Sequence, residues 1–447
     1  MRPVISKIYV WSIILESFLY FMLVHQNISI VGLGVSRVLQ IIVILYLCSK
    51  INNINFLKLI NPFSLFNYKF SLYFIYMIII SIFGFVWYEY DLAAVHRDKA
   101  ITRQLFEFIV QLYYFIYFAI FPRFFINSKK GIEYFFKVFF ITFSITVFFG
   151  ILDLFMVHYA GENLISRALN EDVGVGFRFH GFNGEPRDAY VYLVLSVSVF
   201  AMYSIWRQQK LSKILMVFIA FLIMMTQSFS FLIGTAILMT LLPLYYAKYN
   251  KAKVNILIFF GYFVSLFFIA IASSYSYRFG LYFDAFQVLA YNLHNGLFTI
   301  GSLEGQMVNI IPIWDIWLKL SGYNPFPLIF GHGFGSASVV NNAYLIIPWG
   351  DTELGTANPH AQIIRTIYES GIIGGILFVS LFLSPFKKNM IRKEDYRKFI
   401  FVMLLVLSAF FSHRMVAPYV LFGIASVIFP LMRNEFTNTV KHPKILD

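Results

Sequence analysis

A single cysteine, Cys48, stands in 447 residues, so no disulfide within the chain and no cysteine-based metal site can form. Charge is scarce too. Asp, Glu, Lys and Arg make up 13% of the chain against 59% hydrophobic residues, too little polar surface for a water-soluble globule of this length. Acidic residues are the rarest of the charged set, 22 against 35 basic, which leaves a formal charge of +13. The chain also has no DxD pair, no His/Cys cluster at metal spacing, no Walker loop and no Ser-His-Asp arrangement. These absences point away from a metal site and from nucleotide chemistry. There is no internal repeat, low-complexity tract or soluble accessory domain. The apolar segment Ile8 to His25 is not followed by a small-residue cleavage pattern, which predicts a retained helix rather than a signal peptide.

What fills the chain instead is aromatic and aliphatic sequence, with 20% Phe, Trp and Tyr and a mean hydropathy of +0.73. Apolar stretches begin near Ile8, Val35, Phe70, Thr102, Tyr134, Asp188, Lys213, Phe229, Val254, Gln362, Phe399 and Val416. Each is roughly 16 to 25 residues, enough to cross a bilayer as a helix, so about twelve spans are expected. The lipid bilayer is the first partner this composition implies.

Basic residues recur in every second connection between these stretches, and this placement explains the positive charge. One side carries Lys50, Lys58 and Lys69, then Arg123, Lys129 and Lys130, then Arg207, Lys210 and Lys213, then Lys248, Lys251 and Lys253, then Lys387 to Lys398. The same side holds Arg2 and Lys7 at one end and Arg433, Lys441 and Lys444 at the other. By the positive-inside rule these connections and both termini are cytoplasmic. The charge is thus a topology signal, and no nucleic-acid partner is expected.

Two outward connections are long. His158 to Arg187 ends in GFRFHGFNGEPRDAY, and residues 274–361 form the longest loop, inserted before the tenth span. Loops of that length inside a compact protein are uncommon unless functional. Within it Met307, Ile310, Ile311, Trp314, Trp317 and Leu318 recur at helical spacing, which predicts an amphipathic helix covering the outer ends of the spans. The expected organisation is a single transmembrane domain over residues 1–447 carrying this outer loop.

Chemistry-bearing residues concentrate at the outer boundary. In Asn358-Pro359-His360, Asn suits an N-cap and Pro a first helical position, so His360 falls in the first turn of the tenth span. The positive end of a helix disfavours imidazolium and welcomes an anion, the setting of a general base beside a phosphate; an interfacial His satisfied by headgroups or loop carbonyls fits the spacing equally well. Arg365 and Glu369 are four apart and can pair on one face, as a structural ion pair. Gly371, Gly374 and Gly375 read as a small-residue packing patch. A second constellation is Arg178, Gly181, Glu185, Pro186, Arg187 and Asp188, where guanidiniums flank a helix start and could grip a diphosphate. Pairing of these arginines with Glu185, Asp188 or lipid phosphates is the plainer alternative. Arg278 and the short turn with His413 and Arg414 are further candidates. Glu16, Arg37 and Glu107 lie inside or at the edges of spans, where ionisable groups pair or line a polar cavity.

Taken together, these features resemble the O-antigen polymerase and ligase superfamily of membrane glycosyltransferases. The resemblance rests on the span count with a large loop before the tenth span; on Arg178, Gly181 and Pro186, similar to the family's Arg-x-x-Gly followed by Pro; on Leu328 to Gly335, similar to its glycine turn; and on His360, Glu369, Gly371 and Gly374, at the spacing of its His-Asn…Glu-x-Gly-x-x-Gly signature. Ala361 stands where the family usually has Asn, and the Arg often found before the loop helix is absent near Met307 to Trp314. The resemblance implies an all-α polytopic protein of the GT-C kind, in the bacterial inner membrane, with its active site facing the periplasm. It implies undecaprenyl-diphosphate-linked oligosaccharides as donor and acceptor, metal-independent inverting transfer, no cofactor, and a chain-length regulator as partner. It further implies His360 as the catalytic residue, Arg178, Arg187 and Arg278 on the diphosphate, and Glu185, Arg365, Glu369 and Arg414 in support. The run Gly184 to Arg187 is closer to polymerases than to ligases; a ligase moving polymer to lipid A-core, or a lipid-linked oligosaccharide flippase, are the alternatives.

Overall fold

Helices dominate the protein. The computed structural model describes residues 2–18, 29–30, 33–49, 68–87, 97–162, 164–165, 178–183, 186–226, 326–336, 362–383, 404, 419–429 and 431. Helix α1 spans Arg2–Phe18, α2 Val35–Cys48 and α3 Tyr68–Trp87. Helix α4, Arg97–Tyr114, continues through a π-helical turn, Phe115–Ile120, into Pro122–Phe125. Then come α5 (Lys129–Ala160), α6 (Pro186–Arg207), α7 (Lys213–Met225), the short α8 (Phe326–Phe330), α9 (Gln362–Leu383) and α10 (Tyr419–Phe429). The one strand pairing among the described residues is a two-residue antiparallel contact, Ser29 to Gly34 and Ile30 to Leu33. Among the described residues three helices are long and apolar enough to cross a membrane: Leu105–Phe125, Lys129–Ala160 and Asp188–Arg207. The apolar stretches that begin near Phe229, Val254 and Phe399 lie outside the described residues apart from Leu404.

Local chemistry sets the helix ends. Ser128 Oγ accepts from Gly131 N at 3.1 Å and starts α5, and Ser212 does the same for α7 through Leu215 N at 3.3 Å. Pro186 opens α6, where its missing N–H is no loss. Much of the described surface is apolar, and polar side chains lie within a mainly apolar interior. Ile41, Leu45, Leu72, Ile82, Phe148 and Val217 are exposed, while Ser12, Gln40, Glu107, Thr142, Thr146 and Asp153 are buried. In water such an arrangement would leave large apolar patches unmet, whereas lipid tails cover them without cost. The protein is membrane-associated.

Two compact units divide the chain: Met1–Ile145 with Leu195–Leu211 and Val308–Asp447, and Thr146–Val194 with Ser212–Met307. In the first unit Phe140 stacks on Phe200 at 5.3 Å and Phe136 meets Tyr203 edge-on at 5.1 Å, joining α5 to α6. The π turn of α4 packs its Phe115 against Phe70 and Tyr419. Its Tyr117 carbonyl accepts from Tyr9 OH at 2.7 Å and its hydroxyl meets Ser12 Oγ at 2.7 Å, tying α4 to α1.

Helix α9 is broken. Gly371 has φ 64° and ψ −174°, a conformation open almost only to glycine. The carbonyls exposed by the break are met by the turn after α8: His332 N donates to Tyr368 O at 3.2 Å and Gly333 N to Glu369 O at 2.8 Å. Tyr76 OH donates to Ser370 O at 2.9 Å. Gly331 and Gly371 are pressed together so closely that a Cβ on Gly331 would lie 2.4 Å from Glu369 O, and one on Gly371 2.3 Å from Ile329 O. Of the glycine patch expected to serve helix packing, Gly371 is instead a break capped across space by GHGFG, while Gly374 does pack closely, since a Cβ there would lie 2.8 Å from the Tyr76 ring of α3. Gly371→Ala is expected to lower stability by the strain alone of about 1–3 kcal/mol, with the clash added. Thermal unfolding in detergent measures it, and an unchanged midpoint would contradict the cap.

Candidate functional site

The second unit contains the segment 178–183, a buried turn lying between α5 and the end of α7. Arg178 Nε donates to Thr226 O at 3.1 Å, and Phe179 N donates to Met225 O at 2.8 Å. These bonds use carbonyls at the C-terminal end of α7, where a helix needs partners from outside itself. His180 comes next, with Nδ1 2.9 Å from Gly181 O. Its Nε2 stands 3.0 Å from Asp153 Oδ2, at ion-pair distance but off a hydrogen-bond axis. The other Asp153 oxygen accepts Ile165 N at 2.8 Å. Gly181, with φ +53°, opens a 3-10 turn, Gly181–Asn183, in which Asn183 N returns to His180 O at 3.1 Å. Asp188 sits buried in the first turn of α6. An acidic side chain at that position suits the positive end of a helix.

The first unit holds a buried triad. Arg365 Nη2 lies 2.9 Å from Glu107 Oε2, and Arg365 Nε donates to Glu369 Oε1 at 2.9 Å. All three are within 5% of full burial. Charges in such a setting persist only when paired, because desolvation costs several kcal/mol per ion. Tyr419, on α10, donates to Gln111 Oε1 at 3.3 Å, one turn along α4 from Glu107. His332 lies in the turn after α8: its ring stacks on Tyr368 with centroids 4.2 Å apart and 11° between planes, and Nδ1 is 3.0 Å from Tyr368 O. The turn that caps α9 thus also fixes the helical turn that carries Arg365 and Glu369.

A third polar group of the same unit joins α1 and α2. Arg37 Nη2 is 2.7 Å from Glu16 Oε1, and Ser36 Oγ donates to Glu16 Oε2 at 2.6 Å. Gln40 Oε1 accepts from Arg37 and from Tyr113. Of the three ionisable residues expected to pair, Glu16 and Arg37 do so together, and Glu107 pairs with Arg365 instead.

Of the residues expected to be catalytic, to grip a diphosphate or to support them, Arg178, Arg365 and Glu369 have described side chains, and Arg178 belongs to a different unit from the other two. Arg187 lies in the first turn of α6, its side chain outside the description; Glu185, Arg278, His360 and Arg414 fall outside the described residues, as do His413 and the loop helix Met307 to Leu318. Sequence reading passed over Asp153, His180 and Thr226, and did not join Glu107 to Arg365. A signal for Asp153 existed, since a lone carboxylate in the run FFGILDLFM is an ionisable group inside a span. For Thr226 there was none, because its backbone carbonyl acts. Compared with protein families, with curated proteins and with solved structures, the chain matches none of them.

Proposed function

We propose that the protein is a membrane glycosyltransferase, an oligosaccharide repeat-unit polymerase acting on undecaprenyl-diphosphate-linked substrates at the outer face of the bacterial inner membrane. In this reading about twelve helices form a GT-C-like bundle, residues 274–361 cover a cavity on the periplasmic side, and both termini are cytoplasmic. The ion pair of Arg207 with Glu133 at 3.6 Å is in keeping with that orientation, since it brings the basic end of α6 to the basic start of α5.

The observation that supports the reading is the burial of Arg178, only 4% exposed, on the Thr226 carbonyl. A guanidinium withdrawn from water and held in one plane suits two-pronged contact with a phosphate. In the reaction an acceptor-sugar hydroxyl attacks the anomeric carbon of the donor. A new C–O bond forms as the bond to the diphosphate breaks, the configuration inverts, and the electron pair leaves on undecaprenyl diphosphate. Arg178, with Arg187 and Arg278, meets the charge that grows on that leaving group, and fixed donors in a water-poor site lower the barrier without a metal. His360 takes the hydroxyl proton. Glu185, Arg365, Glu369 and Arg414 support these groups.

A second reading, a flippase for lipid-linked oligosaccharides, draws on the break in α9, because broken helices form the substrate and ion sites of transporters. Against it, the carbonyls of Tyr368, Glu369 and Ser370 accept from His332, Gly333 and Tyr76, so the break is closed by protein donors.

The lipopolysaccharide of a deletion strain separates the readings. Core bearing one repeat unit is the expected result. Bare core with polymer retained on the lipid carrier would mean a ligase, and single repeat units trapped on the cytoplasmic leaflet would mean a flippase.

A further inference from the structure

We propose that Asp153 and His180 form a clamp that positions Arg178, an inference that rests on the reading of Arg178 as a diphosphate ligand. Thr146, Gly150 and Asp153 lie on one face of α5, at i, i+4 and i+7. Each meets one residue of the segment 178–183. Thr146 Cγ2 would stand 3.2 Å from a Cβ on Gly181; Gly150 leaves room for the Phe179 ring, whose Cε2 would be 2.5 Å from a Cβ there; and Asp153 faces His180 Nε2 at 3.0 Å. On its other side the segment is bound to the end of α7 by Arg178 Nε and Phe179 N. Among these contacts the Asp153–His180 pair is the polar one on the α5 side. It secures the residue two places from Arg178, so the guanidinium plane is set from both sides.

A general-base role for His180 fits the geometry poorly. Both ring nitrogens already face oxygens, Gly181 O at 2.9 Å and Asp153 Oδ2 at 3.0 Å, and the residue is 1% exposed. An attacking sugar hydroxyl has no approach to either nitrogen. Asp153 is buried to the same degree with one oxygen on Ile165 N and the other on His180. The pair acts through Arg178.

The test uses the full-length protein in nanodiscs, with undecaprenyl diphosphate as probe and undecaprenol as the neutral control. Binding is measured together with hydrogen exchange over a peptide covering residues 178–183. His180→Ala and Asp153→Ala are each expected to weaken undecaprenyl diphosphate binding roughly ten- to a hundredfold, to leave undecaprenol binding unchanged, and to speed exchange at Phe179 and Asn183. Because the two residues share one contact, the double variant adds little to either. His180→Gln, whose amide keeps a polar N–H group facing Asp153, recovers most of the lost binding, which a role limited to filling space would not give. Should alanine at either position prevent accumulation, the milder pair His180→Gln and Asp153→Asn carries the same comparison, with Asp153→Asn the weaker binder. Exchange and binding both at wild-type levels in the single variants would overturn the clamp. Faster exchange with unchanged diphosphate binding would uphold the clamp and defeat the diphosphate role of Arg178.

Discussion

Arg365→Ala is expected to destabilise the protein by about 3–5 kcal/mol, the cost of leaving buried carboxylates without their cation. Glu107 and Glu369 both meet this one guanidinium, at 2.9 Å each, and both are buried. Alanine therefore removes the partner of two charges at once and leaves a cavity beside them. Equilibrium unfolding in detergent reads the loss directly. Adding Glu107→Gln and Glu369→Gln to Arg365→Ala should recover much of it, since neutral amides carry a far smaller desolvation penalty than carboxylates. A loss below about 1 kcal/mol, the range of exposed ion pairs, would mean that the triad is not the sealed unit its geometry describes.

The second large effect concerns activity. His360→Ala is expected to leave membrane insertion and abundance near normal while lowering polymerisation by roughly 10² to 10⁴, the range for a lost general base. The polymer ladder and an immunoblot of the same cells give both numbers. By sequence position His332, between turn glycines, is the natural control, a loop residue of little consequence. The structure removes it from that role: its ring is buried, stacked on Tyr368 and set against the Tyr368 carbonyl. His332→Ala should therefore reduce abundance and ladder together, whereas His360→Ala reduces the ladder alone. A normal ladder from His360→Ala beside a lost ladder at full abundance from His332→Ala would place the catalytic histidine in the wrong motif.

Helix positions in this chain are legible because apolar runs in a membrane protein have few other uses. The stretches beginning near Val35, Phe70, Asp188, Lys213 and Gln362 coincide with the starts of α2, α3, α6, α7 and α9 within a few residues. Caps were equally local, with Ser128, Ser212 and Pro186 acting through neighbours three residues away or fewer. The Arg365–Glu369 pair could be read from i, i+4 spacing alone.

Pairings between segments far apart in sequence were not legible. Glu107 meets Arg365, far along the chain, only because α4 and α9 are brought together, and nothing in either segment names the other. The same holds for GHGFG. Its glycines announce a turn, yet their purpose, capping the break at Gly371, depends on α8 and α9 packing backbone to backbone. Sequence by itself determined the membrane character, the helical elements, the end caps and the local ion pair, because each follows from periodicity and contacts within a turn or two. The tertiary structure decided which buried charges share a partner, which glycines meet, and that His180 lies against Asp153. Those outcomes depend on which helix faces adjoin, and in an apolar environment a buried polar group must find whatever partner that packing supplies.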